Sequence, residues 1–305
     1  MMGTTVAQLE SILNALEGVS MKLLVVVIFA ELLVLWLRRK WRAKKESWVS
    51  FACFALGMLP YYAFFAVLQY QIMMWLYDNA RLFTLGGEWY VWVLAFMCFD
   101  LAWWLVHFAA HKVRFLWCIH GAHHTPTDMN LSVAIRGSLF DFFQYVHLVI
   151  WLPLLGFHPL MVISVDIMAR LYGLITHLHK DSLGSTPVLD QMLITPSLHR
   201  VHHAKNPLYL DTNYANMFSL WDRLFRTHQL EVKEEEPVFG VTDEGVKAES
   251  ILSSQFGLWK SLLADMRSTP RWTDRIKYVF MPPDWHPQRP PPSVATRYSS
   301  SGCAS

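Results

Sequence analysis

Residues 48–77 run for thirty positions without one charged side chain. The hydrocarbon layer of a bilayer is about 30 Å thick, and about 20 apolar residues of helix cross it. A stretch of this length and character is therefore read as membrane-spanning, with Gly57 and Pro60 expected to kink it. Four more segments share the character: 21–37, 89–106, 139–156 and 159–176, the last two joined by Phe157 and His158 alone. Glu31 is the one ionisable residue inside the first. That segment is not expected to be a cleaved signal peptide, since no basic stretch precedes it and no small-residue cleavage site follows. Composition agrees: 16% of residues are charged, against roughly 25% in a soluble domain. The net charge of +2 gives no footing for nucleic acid as a partner. Four cysteines without a Cys-x-x-Cys pair offer neither a zinc ribbon nor a redox motif, and are read as free thiols.

Lysine and arginine placement orients the segments. RRKWRAKKES, after the first segment, carries six basic residues and is assigned to the cytoplasm. The loop 78–88 holds only Arg81 and belongs on the far side. The third segment then returns the chain to the cytoplasm at His107, and the hairpin 139–176 starts and ends on that face. Every histidine cluster falls on the same side, although histidine played no part in the assignment.

Histidine is the unusual residue: fourteen in all, twelve of them from His107 to His203. His107 and His111 stand i,i+4 in WWLVHFAAH, on one helical face. His120, His123 and His124 stand i, i+3, i+4 in LWCIHGAHHTP, where Pro126 ends the helix. His199, His202 and His203 repeat that spacing in TPSLHRVHH, with Thr195 suited to the N-cap and Pro196 to the first turn. His177 and His179 form a looser group after the fifth segment. Eight box histidines exceed the three or four ligands that one ion usually takes, so the count points to two metals. The boxes contain no thiolate and no glutamate. Imidazole suits iron, zinc, copper and nickel alike, so spacing leaves the metal open. The lone histidines His147, His158, His228 and His286 are read as incidental. The fold class expected is all-α: a multi-pass transmembrane helical bundle with a cytoplasmic helical cap that holds a histidine-rich di-metal site.

The stretches HFAAHKVRFLWCIHGAHHTPTDMNLSVAIRGS, ITPSLHRVHHAKNPLYLDTNYANMFSLWDRLFRT and FMPPDWHPQRP resemble the fatty acid hydroxylase superfamily, membrane-bound di-iron oxygenases of the sterol desaturase type. NLSVAIR and NYANMFSLWDRLF narrow the likeness to the alkylglycerol monooxygenase branch and its bacterial relatives. The resemblance implies metal ligands at His107, His111, His120, His123, His124, His199, His202 and His203, with His177 completing the set. It implies two iron ions, O2 as oxidant, a lipid substrate, and an electron donor that is a tetrahydropterin (tetrahydrobiopterin) or else a cytochrome or ferredoxin. Localisation follows as a multi-pass membrane protein of the endoplasmic reticulum if eukaryotic, or of the cytoplasmic membrane if bacterial. Three positions depart from the family's pattern: Phe108 replaces an Arg, His177-Leu178-His179 replaces His-Thr-Glu, and Arg226 replaces a Gly.

The division expected is an N-terminal segment 1–20, membrane helices 21–88, a catalytic unit 89–290 including the hairpin 139–176, and a disordered tail 291–305. EVKEEEPVFG, from Glu231, is read as a solvated acidic loop. Asp100, seven residues before His107, is expected to accept a proton from a ligand imidazole. Asp222 is expected to orient a ligand histidine. Asn130 and Arg136 are read as holding substrate or capping a helix. His179 is expected to face solvent, to replace the missing Glu, or to compete as a ligand. Asp166 and Arg170 are expected to pair. The leading function is oxygen insertion into a C–H bond of an ether lipid, and the alternative a sterol or fatty-acyl hydroxylase or desaturase. A zinc hydrolase would want a general base beside the metal, as in His-Glu-x-x-His, which is absent. An inert lipid-binding scaffold is disfavoured by the intact boxes.

Overall fold

The computed structural model describes residues 5–288, with no side-chain description over 144–149. The expected tail 291–305, with Cys303, lies outside the described residues, as does the side chain of His147. Among the described residues the fold is all-helical.

Thr5 opens helix α1 (Val6–Leu37) with a capping box, its hydroxyl accepting the Gln8 N–H while the Gln8 side chain accepts the Thr5 N–H. The helix therefore starts at Val6 rather than Met21 and absorbs most of the expected N-terminal segment. Helix α2 (Lys44–Pro60) passes through a π-helical turn, Tyr61–Phe65, into α3 (Ala66–Ala80). Pro60 has no N–H to give the preceding turn, and the ladder widens where the sequence predicts a kink. Leu59, Phe64, Val67 and Trp75 on these helices are exposed, the surface that lipid rather than water covers.

Helices α4 (Trp89–Lys112) and α7 (Pro159–Thr176) complete a set of four spans long and apolar enough to cross a membrane, with Val6–Leu37 and Lys44–Ala80. Segment 139–156 is not a fifth. It forms a 3-10 turn, Asp141–Tyr145, and the ten-residue α6 (Val146–Leu155). Ten residues of α-helix rise only about 15 Å, half the hydrocarbon thickness. The hairpin itself stands. Gly156 turns the chain at φ 103°, where a Cβ would lie 2.1 Å from the Phe83 carbonyl oxygen. His158 then caps α7 by accepting the Leu160 N–H at 3.2 Å. Met73, Phe99, Leu152 and Val165 interlock α3, α4, α6 and α7. The expected Asp166–Arg170 pair forms at 2.9 Å. Outside the spans the chain builds a polar cap from α5 (Arg114–His124), which follows α4, and from α8 (Pro196–His203), α9 (Leu220–Leu224), α10 (Ile251–Ser268) and α11 (Trp272–Phe280), which follow α7.

Two carboxylates fasten the N-terminal helices to that cap. Glu31 of α1 is buried and accepts the N–H groups of Leu131 at 2.7 Å and His179 at 2.8 Å, with the Ser182 hydroxyl at 3.3 Å. Glu46 of α2 accepts the N–H of Thr127 at 2.7 Å and its hydroxyl at 2.6 Å. On the same side Arg38 donates to the Asp181 carbonyl at 3.3 Å, and Lys40 lies 3.6 Å from the Asp181 carboxylate. The basic run after α1 and the residues just after His177 therefore share one end of the bundle.

Replacing Glu31 with Ala strands two buried backbone donors, each costing about 1–3 kcal/mol. Glu31→Ala is expected to lower the melting temperature of the detergent-purified protein clearly, while Glu10→Ala, on an exposed position of the same helix, leaves it unchanged. Equal melting of both variants would show that the carboxylate carries no such load.

Candidate metal centre

The spacing of the boxes explains how nine histidines become two groups. On an α-helix positions i and i+4 lie about 40° apart, while i+3 lies about 60° to the other side. Helix α5 sends His120 and His124 one way and His123 the other; α8 sends His199 and His203 one way and His202 the other. The last two turns of α4 supply His107 and His111, and His177 directly follows α7. The first group is His107, His111, His120, His124 and His202; the second is His123, His177, His199 and His203. Within each group the candidate ligand atoms lie within 4.8 Å of one another. The groups abut where the His124 and His203 rings stack at 4.3 Å. Thr195 caps α8 and Pro196 opens it, as the sequence predicts.

Four backbone carbonyls orient the rings. Nδ1 of His107 meets the Tyr214 carbonyl at 2.7 Å, that of His123 the Arg136 carbonyl at 3.2 Å, that of His177 the Gly173 carbonyl at 2.6 Å, and that of His202 the Thr212 carbonyl at 2.8 Å. A carbonyl only accepts, so in a neutral ring Nδ1 holds the proton and Nε2 is left as a lone pair. These Nε2 atoms turn inward. His177 Nε2 lies 3.2 Å from His123 Nε2 and 3.0 Å from His199 Nε2, and His107 Nε2 lies 2.9 Å from His120 Nε2. The Nε2 atoms of His111 and His202 are buried with no hydrogen-bond partner among the described residues.

Burial first, and then the neighbouring imidazoles, hold His120, His124, His199, His202 and His203 well below the usual histidine value. Burial and His123 do the same to His177, and burial takes His123 itself down to about 4. Neutral imidazole is the form that binds a metal. Nitrogens held at right angles about 2.1 Å from one ion sit about 3 Å from each other. Buried, neutral donors at this spacing, with lone pairs facing lone pairs, fit metal ions.

Several supporting residues do something other than the sequence suggests. Asp100 meets no imidazole. Its carboxylate accepts the N–H groups of Asn216, Met217 and Phe218 at 2.9 to 3.1 Å. Asp222 likewise takes the N–H groups of Tyr214 at 2.7 Å and Ala215 at 2.9 Å, with the Trp104 indole and the Thr227 hydroxyl. Five consecutive backbone donors claim both carboxylates, which act on the site one step removed by fixing the segment whose Tyr214 carbonyl holds His107. Asn130 caps the 3-10 turn Leu131–Ile135, accepting from the N–H and hydroxyl of Ser132. Arg136 lies within the protein. Its buried guanidinium donates to the carbonyls of Glu46 and Ala248 and to the Ser254 hydroxyl, while its own carbonyl serves His123.

His179 belongs to neither group and does not face solvent. It is buried, with Nε2 3.6 Å from the Asp128 carboxylate and its backbone N–H given to Glu31. Phe108 stacks on Trp104 at 5.1 Å, an apolar contact replacing the family's Arg. Arg226, where the resemblance implies a Gly, sits at φ 61°, in the left-handed region that favours glycine. The acidic run is not wholly solvated either: Glu231 pairs with the buried Arg200 at 2.9 Å and braces the outer face of α8. Sequence reasoning missed the carbonyls of Thr212, Tyr214 and Gly173, which have no side-chain signature. It also missed Asp211, whose carboxylate lies 3.8 Å from His111 Nδ1.

Residues 92–227 match the family model "Fatty acid hydroxylase". The chain is 30% identical over 252 residues to human alkylglycerol monooxygenase, covering 80% of this chain and 54% of that protein. It is 27% identical over 274 residues to the alkylglycerol monooxygenase of Xenopus tropicalis, covering 87% of this chain and 58% of that protein. Ornithine lipid hydroxylase OlsE of Rhizobium tropici is 28% identical over 156 residues, 51% of this chain and 46% of that protein. The chain thus spans about half the length of the curated relatives it matches. No solved structure matches it. Residues 92–227, which carry both histidine groups, form a fatty acid hydroxylase domain.

Proposed function

We propose that the chain is a membrane-bound lipid monooxygenase whose nine histidines hold two iron ions. His107, His111, His120, His124 and His202 would hold one, and His123, His177, His199 and His203 the other. The observation that carries this is the sharing of both H-x2-H-H helices between two groups of neutral imidazoles. An all-nitrogen donor set without thiolate suits iron among other metals, and the oxygenase names of the relatives favour it. Bound there, the iron pair would supply the reduction and cleavage of O2. In the overall balance one oxygen atom enters a C–H bond, the other leaves as water, and a donor provides two electrons and two protons. By likeness to the alkylglycerol monooxygenases the substrate is an ether lipid and the donor a tetrahydropterin. Hydroxylation beside the ether oxygen gives a hemiacetal, which falls to an aldehyde and glycerol.

The chain's own contribution is position. The carbonyls of Gly173, Arg136, Thr212 and Tyr214 hold four imidazoles in the tautomer that aims Nε2 inward. Asp100 and Asp222 fix the segment 214–218, and Glu31 and Glu46 fix 127–131. His107 and His111 lie in the last two turns of α4 and His177 directly after α7, so the donors sit where the apolar spans end. A lipid packed among those spans reaches this level without crossing water. Contacts of Arg38 and Lys40 with Asp181 support a cytoplasmic site, since basic flanks favour that side.

The substrate reading is tested by incubating the nanodisc-embedded, iron-loaded protein with an alkylglycerol and O2, with and without a tetrahydropterin. Aldehyde release that requires the pterin is expected. Turnover of a sterol or fatty-acyl lipid that ignores the pterin and follows a cytochrome or ferredoxin would put the alternative in its place. The ligand set is tested at the hairpin's end. His177→Ala is expected to lose about one metal ion per chain, as removal of a group's donor predicts, and nearly all turnover. His179→Ala should keep its metal content and lose turnover only in part. The reverse pattern would make His179 the ligand.

A further inference from the structure

Helices α10 and α11 lie outside the matched domain and take no part in the histidine groups, yet each leaves an apolar stripe uncovered. On α11, Trp272, Ile276 and Phe280 recur at i, i+4 and i+8 and are 69%, 48% and 65% exposed. They form an arc about 80° wide on the helical wheel, with Arg275 on one flank and Lys277 on the other. Asp274 and Tyr278, on the opposite side, are buried against the protein. Helix α10 repeats the design, with Leu252, Phe256 and Leu263 exposed in one row and Lys260 and Arg267 beside it. An apolar stripe edged by cations is the pattern of a helix lying in a bilayer's headgroup layer.

The contacts of these helices say which bilayer. The Met281 carbonyl that ends α11 accepts the N–H of Arg114, two residues beyond the span Trp89–Lys112. On α10, the Gln255 side chain accepts the N–H of Leu139, where the membrane hairpin begins, at 2.8 Å. The Trp259 ring lies 5.2 Å from Phe115 and 5.8 Å from Phe140. The exit from the span Trp89–Lys112 and the start of segment 139–156 are therefore both touched by this helix pair. A Cβ on Gly121 of α5 would lie 2.3 Å from the Leu258 side chain, so α10 is seated directly on the helix that bears the second box.

We infer that α10 and α11 form a membrane-surface layer, with their apolar stripes sunk in the headgroup region of the bilayer that the spans cross and their cations set for anionic phospholipid. The occupant is lipid because the helix pair is seated against residues beside the span Trp89–Lys112 and because the stripes are edged by cations. This rests on the membrane character of the chain alone, so it stands or falls independently of the metal and the reaction.

The test places a nitroxide at Ile276→Cys or Phe280→Cys, with the native cysteines replaced by serine, in single-copy nanodiscs of phosphatidylcholine and phosphatidylglycerol. Collision with O2 is compared with collision with a water-soluble nickel chelate, taking Ser268→Cys as the aqueous reference. A several-fold preference for O2 at 276 and 280 over 268 is expected, and it should weaken when phosphatidylglycerol is left out. Nickel access equal to that at 268, or shielding from both reagents as a protein partner would give, would overturn the inference. No change on leaving out phosphatidylglycerol would overturn the anionic preference. A photo-crosslinking residue at 276 in protein with its native cysteines gives an independent reading: lipid adducts are expected, and protein adducts alone would refute it.

Discussion

Across the second histidine group, Nε2 of His123 faces Nε2 of His177 at 3.2 Å, each a lone pair because each Nδ1 proton is given to a carbonyl. Burial keeps both rings neutral, so a second proton does not relieve the conflict. A cation between them turns repulsion into coordination. The first group shows the same closeness between His107, His120 and His124. The sharing of boxes ties the two groups together: moving α5 or α8 to suit one of them moves a donor of the other. Five donors stand in the first group and four in the second, so the two sites are alike in chemistry and unequal in number.

What holds this arrangement is a set of carboxylates that touch no imidazole. Asp100 and Asp222 gather five consecutive N–H groups from 214 to 218, and the bend they impose presents the Tyr214 carbonyl to His107. Glu31 and Glu46 do the same work from the first two helices. Glu31 reaches the segment that ends in the Arg136 carbonyl and also the backbone just past His177. Helices outside the matched residues 92–227 thus take part in shaping the second group. A buried carboxylate in an apolar helix is costly unless its oxygens are met, and each of these is met by backbone donors.

The donor residues were legible because i, i+3, i+4 repeats of histidine at the ends of apolar segments have few other physical uses. The split of each box follows from its spacing, but which side of α5 joins which side of α8 does not, since that depends on the azimuth of one helix relative to the other. Asp100 was noticed for the cost of a charge in an apolar span and Asp222 for its place after the third box, but their partners are main-chain N–H groups that look alike at every position. Hydropathy placed four spans and overcounted at 139–156, because it measures apolarity and not whether a segment is wound as one helix. It also began α1 too late. Gln8, Glu10, Asn14 and Glu17 dilute the apolar signal there, although the Thr5–Gln8 capping box marks the true start. Arg226 departed from the family's glycine without any sign in the sequence of the left-handed backbone it occupies.

The central claim is that two separate histidine groups hold two iron ions in one site. Mössbauer spectroscopy of protein loaded with 57Fe, with metal content measured on the same sample, tests it most directly. The account predicts about two irons per chain, as two groups of three or more imidazole donors require, in a spectrum that resolves two iron environments. One iron per chain, or stoichiometric zinc in protein that stays active after iron is chelated, would contradict it.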